Sequence, residues 1–92
     1  MMYGRVISFT LLAPSLWSVV EAIGLKKNSD GGKRFLFKSG PNAGFLIEIF
    51  NDRKSAGDNI DAMKSLQGLR EQAMAKVTVS EGEGLGGNEI SN

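Results

Sequence analysis

Between Arg5 and Leu25 the chain changes its hydrophobic period once, and the change falls at Pro14. Before it, Arg5, Ile7, Phe9 and Leu11 alternate with Val6, Ser8 and Thr10, the period of a half-buried strand. After it, Leu16, Val19, Val20 and Ile23 recur at helical spacing. Pro14 suits a first helical position, where its missing N–H leaves no partner unsatisfied. Gly24 suits the stop, and Lys26 and Lys27 complement a helix C-terminus. This stretch therefore reads as strand followed by helix. The competing readings are a signal peptide with Arg5 as its basic start, or a span over residues 6–25. Pro14, Glu21 and the hydroxyls of Ser8, Thr10, Ser15 and Ser18 weigh against both. The expected location is cytoplasmic; the alternative is secretion or membrane association through residues 6–25.

The remainder continues the pattern. KKNSDGGKR reads as a loop. Arg34–Lys38 and Phe45–Phe50 alternate on either side of a Gly40-Pro41-Asn42-Gly44 turn, predicting a hairpin. Asp58 is placed to cap a helix whose stripe is Ile60, Met63, Leu66, Leu69, Ala73 and Val77, weakened by Gly68 and ending near Ala75. A short strand over KVTVS closes the order β-α-β-β-α-β, that of the ferredoxin-like fold: one antiparallel sheet with two helices on one face. Residues 1–80 form a single α+β domain, and 81–92 an acidic, Gly-rich, disordered tail. The strand parities can be aligned so that Ile7, Phe9, Leu11, Phe35, Phe37, Phe45, Ile47, Ile49, Val77 and Val79 meet the helices. Ser8, Thr10, Arg34, Leu36, Lys38, Leu46, Glu48, Phe50, Lys76 and Thr78 then line the open face.

Composition narrows the chemistry. With no cysteine there is no disulfide, thiolate ligand or thiol nucleophile; with no histidine the usual neutral-pH base and commonest metal ligand are missing. Residues 1–79 carry eleven basic and seven acidic side chains, and residues 80–92 three acidic and no basic ones. That is a mildly basic body, without the dense cationic stripe of a dedicated nucleic-acid binder. Glu48, Asp52, Asp58 and Asp61 match no metal loop. GEGLGG, over 82–87, lacks the following helix a dinucleotide fingerprint needs. No enzyme activity, cofactor or metal is expected.

The expected function is that of a small accessory, protein-binding module: an adaptor, inhibitor or regulatory subunit acting on a protein partner or by self-association, including sheet-to-sheet pairing. Its candidate partner-binding residues are Trp17, Arg34, Leu36, Lys38, Phe50 and Lys76. Two further resemblances stand beside this. Gly44, Phe45 and Phe50 in AGFLIEIF resemble part of the aromatic motif of RNA-recognition-motif domains, which implies single-stranded RNA binding on the open face, with Arg34, Lys38 and Lys76 toward phosphate. The element order is similar to ACT-like and PII-like domains, which implies small-ligand regulation, with Ser15 and Leu16 N–H groups at a helix start. YGRV resembles the opening of acylphosphatases, but no arginine follows it before Arg34, so that activity is not expected.

Overall fold

The computed structural model describes residues 2–26, 32–70 and 74–88. β1 spans Tyr3–Leu11, α1 Trp17–Gly24, β2 Gly32–Lys38, β3 Ala43–Phe50, α2 Arg53–Asp58, α3 Asp61–Gly68 and β4 Met74–Glu83. A 3-10 turn at Pro14–Leu16 leads into α1. The four strands form one antiparallel sheet in the order β2-β3-β1-β4, with β2 and β4 at its edges. This is the ferredoxin-like α+β architecture. Residues 6–25 are divided between β1, the turn and α1, and no helix among the described residues is long and apolar enough to cross a membrane.

The core lies between the sheet and the helices. Ile7, Phe9 and Leu11 of β1 pack with Leu46 of β3, Trp17 and Val20 of α1, and Ala62 and Leu66 of α3. Val19 points away from this cluster and is exposed, so the α1 stripe is Leu16, Trp17, Val20 and Ile23. Gly44 permits the closest approach in the core. A Cβ there would run into the Phe37 carbonyl oxygen and lie 2.5 Å from Trp17 Cη2. Phe9 meets the Trp17 ring edge-on at 5.5 Å, and the indole N–H donates to the Pro41 carbonyl at 2.8 Å.

Three expectations are corrected. The helix expected from Asp58 begins at Asp61 instead, and a separate helix, α2, precedes it. Asp52 caps α2, its carboxylate accepting from the Ser55 N–H at 2.7 Å, and Asp58 ends that helix. The break lies at Asn59 and Ile60, whose backbone leaves the helical region. A continuous helix would use the carbonyls of Ala56 and Asn59 for N–H groups four residues on. Here Arg5 donates to both, at 2.7 and 2.9 Å, and the Ala56 carbonyl accepts from the Asn59 N–H as well, at 3.3 Å. Gly68 ends α3, Val77 belongs to β4, and Ala73 lies outside the described residues.

The expected tail begins too early, because β4 runs on to Glu83 and pairs with the whole of β1. Residues 84–88 have no regular structure, and residues 89–92 and the loop at 27–31 lie outside the described residues.

The third correction is the parity of the hairpin. Ile7 pairs with Leu46, and Leu46 with Leu36, so Leu36, Leu46, Glu48 and Phe50 face the helices. Phe35, Phe37, Phe45, Ile47 and Ile49 occupy the open face with Val6, Ser8, Thr10, Lys76 and Thr78. The physical reason is that GFLIEIF is apolar in both phases, so alternation alone does not choose between them.

Candidate functional site

The residues expected to bind a partner do not share a surface. Trp17 and Phe50 are buried, at 9% and 2% exposure. Leu36 packs against the core. Lys38 lies on the helix side with its Nζ 5.5 Å from the Trp17 ring centroid. Arg34 points inward to Glu48. Lys76 alone of the six stands on the open face.

What the inward phase brings together is a buried charge network. Arg5 follows the parity of Ile7 and Phe9 and is 2% exposed; Glu48 follows that of Leu46 and Phe50 and is 1% exposed. Arg5 Nη1 donates to Glu48 Oε1 at 3.2 Å. Arg34 donates from Nε and Nη2 to Glu48 Oε2 at 3.0 and 2.8 Å. Arg5 Nε donates to Glu81 Oε2 at 2.7 Å, and the Tyr3 hydroxyl to the same carboxylate's Oε1 at 3.2 Å. The Arg5 guanidinium also lies 5.1 Å from the Phe50 ring centroid. Two carboxylates thus face two guanidiniums, and no buried side-chain polar atom among the described residues is left without a partner. The Arg5 hydrogen bond, the largest influence on Glu81, holds its carboxyl below the ordinary glutamate range.

Arg34 carries this network to solvent. On one side of it, a cleft of about 290 Å³ opens between α1 and α3, lined by Ala22, Ile23, Lys26, Asn59, Asp61, Ala62 and Ser65. On the other, a cleft of about 230 Å³ runs along the start of β2 past Gly24, Lys33 and Glu48. Lys26 borders both. α2 packs on β1 and β3, α3 on β4 and α1, and α1 is the helix that meets β2, so the cleft lies where α1 and α3 come together above Arg34. Asn59 is fixed at the mouth: its backbone carbonyl accepts from Arg5 and its side-chain N–H donates to the Ser55 carbonyl at 2.8 Å. The first cleft therefore joins an apolar wall, two cations, one carboxylate and neutral polar groups. Among the described residues no cluster of three or more acidic side chains is arranged to hold a metal ion.

The sequence gives no sign that Lys26, Asn59, Asp61 and Ser65 share a site: Lys26 reads as a helix-terminal charge, Asp61 matches no metal loop, and Asn59 and Ser65 are unremarkable in their own segments. Arg5 and Glu48 carried a usable signal: each is a charge in phase with apolar neighbours on its strand.

The fold has clear structural relatives. No protein-family model matches the chain, and no curated protein matches it in sequence. Among solved structures, the chain is similar to the NE2512 protein of unknown function from Nitrosomonas europaea, with TM-score 0.77 and 12% identity over 99% of this chain and 96% of that one. It is similar to a putative antibiotic biosynthesis monooxygenase from Chloroflexus aurantiacus J-10-fl, with TM-score 0.71 and 16% identity over 99% and 100%. It is also similar to SnoaB, a cofactor-independent oxygenase from Streptomyces nogalater, with TM-score 0.60 and 16% identity over 99% and 98%.

At these identities the likeness establishes the fold. The expectation of a non-enzymatic protein-binding module is corrected by these matches, because domains of the same size and full-length architecture are described as oxygenases. The surface expected for the nucleic-acid alternative is corrected as well. Arg34 and Lys38 are absent from the open face, so the cationic row imagined there does not form.

Proposed function

We propose that the chain binds a small organic anion of the phenol or enol class in the cleft between α1, α3 and β2, and supports its reaction with dioxygen. The observation that carries this reading is the first cleft itself. Ala22, Ile23 and Ala62 offer an apolar wall to a ring, while Lys26 offers positive charge to an oxyanion beside Arg34, which is itself paired with Glu48. The description of two structural relatives as oxygenases supports the choice of reaction.

The chemistry suits a chain without histidine or cysteine. A phenolate or enolate is itself electron-rich, so the substrate supplies the electrons. For a substrate with two removable hydrogens at the reacting carbon, one oxygen atom of O2 becomes its carbonyl. The other leaves as water with those two hydrogens. The protein's part is to hold the anionic form beside Lys26 and Arg34, keep the ring oriented and offer Asp61 as the carboxylate at the wall.

The test is a titration of isotope-labelled protein with 1-hydroxy-2-naphthoate, followed by NMR, together with oxygen uptake in the presence of 1,4-dihydroxynaphthalene. The latter probe loses two electrons and two protons to O2, giving quinone and hydrogen peroxide. Shift changes should gather at Ala22, Ala62 and Ser65, and Ser65→Phe, which fills the cleft, should abolish both signals. Shifts confined to the open sheet face, or binding unaffected by Ser65→Phe, would overturn the assignment.

A further inference from the structure

The two clefts beside Arg34 differ in charge, and the second is the more electropositive. The buried network balances itself, Arg5 and Arg34 against Glu48 and Glu81. Both Glu48 oxygens are engaged, Oε1 by Arg5 and Oε2 by Arg34, so this carboxylate answers no further cation. Lys26 and Lys33 border the second cleft in addition. Both are exposed, and neither forms an ion pair among the described residues. Asp61 lines the first cleft and not the second. Two positive charges therefore stand at the second cleft over and above those the network neutralises. Lys33 also borders the groove beside Ile49, and its four-carbon stem on an edge strand lets the ammonium swing to either side.

Arg34 adds directed donors. A guanidinium carries five N–H bonds in one rigid plane. Its Nε and one Nη2 hydrogen serve Glu48, and Nη1 donates to the Lys26 carbonyl at 3.4 Å, beside the negative end of α1. One hydrogen on each terminal nitrogen then has no partner among the described residues. Arg34 lines both clefts at 13% exposure, which puts these donors within reach of a ligand. Because Glu48 clamps the guanidinium, the donors hold their place before any ligand arrives. Two glycines keep the opening clear. A Cβ at Gly32 would stand 3.1 Å from the Phe50 ring, and one at Gly24 3.2 Å from Leu46 Cδ1, so larger residues would crowd the core at both.

We propose that this second cleft is a binding subsite for an oxyanion of the carboxylate or phosphate class, held by Lys26, Lys33 and the outer N–H groups of Arg34. Its volume of about 230 Å³ takes an acid group together with bridging water. The subsite lies across Arg34 from the ring site proposed above and does not depend on it. The acid group has two sources. It is a free anion, or it is a substituent of a molecule whose ring fills the first cleft and which reaches across Arg34.

The test is an NMR titration of the isotope-labelled full chain at constant ionic strength with inorganic phosphate, 2-naphthol and 6-hydroxy-2-naphthoate. The amides of Gly24, Leu25 and Gly32 report the second cleft, and those of Ala62 and Ser65 the first. Phosphate that moves the second-cleft amides with half-saturation at or below about 10 mM identifies a free anion. Where phosphate leaves them in place, 6-hydroxy-2-naphthoate should move both sets and 2-naphthol only Ala62 and Ser65, which identifies an acid substituent. In either case Leu25→Glu/Lys33→Glu, at two exposed positions, should raise the dissociation constant of the acidic probe at least about tenfold. Val19→Glu/Lys76→Glu, an equal loss of positive charge elsewhere on the surface, should change it by less than about twofold. The proposal is overturned if neither acidic probe moves Gly24, Leu25 and Gly32, if 2-naphthol moves them as far, or if the two double variants weaken binding alike. Shifts confined to Ala62 and Ser65 would overturn it and leave the ring-binding reading intact. Should Leu25→Glu/Lys33→Glu lose the wild-type circular dichroism spectrum, Lys33→Glu replaces it, with Lys76→Glu as its control and the same outcomes.

Discussion

Replacing Glu48 by glutamine isolates the charge at the centre of the buried network. The side chain keeps its volume and one oxygen, but the negative charge between two guanidiniums is lost. Glu48 is 1% exposed, and its Arg5 and Arg34 partners 2% and 13%, so water cannot readily replace the carboxylate. One carboxylate oxygen that accepts hydrogen bonds becomes an NH2 group facing donors. Breaking a buried ion pair from one side costs about 3–5 kcal/mol. Unfolding entropy near 2.1 cal/mol/K per residue amounts to about 0.2 kcal/mol per kelvin for a chain this long. Glu48→Gln should therefore lower the melting temperature by roughly 15–25 °C.

The internal control is Glu81→Gln. Glu81 pairs with the same Arg5 but is 33% exposed, and a solvent-accessible pair contributes only about 0–1 kcal/mol. Urea titrations followed by circular dichroism would compare the two variants at equal protein concentration. The reasoning fails if Glu48→Gln lies within about 1 kcal/mol of wild type, or if Glu81→Gln costs as much.

Two further outcomes are expected. Gly44→Ala should destabilise the domain by at least about 1–3 kcal/mol, because its methyl group meets the Phe37 carbonyl and the Trp17 ring; Gly40→Ala, with open space around it, should cost far less, as chemical denaturation would show. The carboxyls of Asp52 and Glu81 are both held below their ordinary values of 3.8 and 4.5, by the Ser55 N–H and by Arg5 respectively. Their contribution is thus complete above the unfolded values and is lost as the pH falls through the folded ones, so Asp52→Asn and Glu81→Gln should each flatten the acid limb of a stability-against-pH curve.

Much of the architecture was legible because separate segments agreed. The period change at Pro14 gave the first strand and helix, and the glycine-rich turn gave the hairpin. The inward phases of β1 and β4 follow directly from Ile7, Phe9, Val77 and Val79. The hairpin phase does not, and the reason is instructive. Choosing the more hydrophobic phase of GFLIEIF places Ile47 and Ile49 inside and Glu48 outside. The fold does the opposite because Glu48 meets two arginines in the interior, while the second apolar set forms the open face. The break between α2 and α3 falls where Arg5, more than fifty residues earlier, donates to the carbonyls of Ala56 and Asn59, a contact that local periodicity does not carry. The cleft residues were illegible because Lys26, Asn59, Asp61 and Ser65 come together only through the packing of α1 beside α3.

The register of β1 also has a consequence for how the chain acquires its structure. Ser8 pairs with Phe45 on one side and Thr78 on the other, partners 37 and 70 positions further along. One of the two central strands of the sheet is thus the first of the four to emerge during synthesis, and neither neighbour then exists. Until β3 arrives, Ile7, Phe9 and Leu11 have no sheet to join, and closure by β4 comes later still. Distant pairings of this kind are slow to form and leave oily segments open to chance association. The stretch that most firmly sets the fold is therefore also the one a nascent chain must shield for longest.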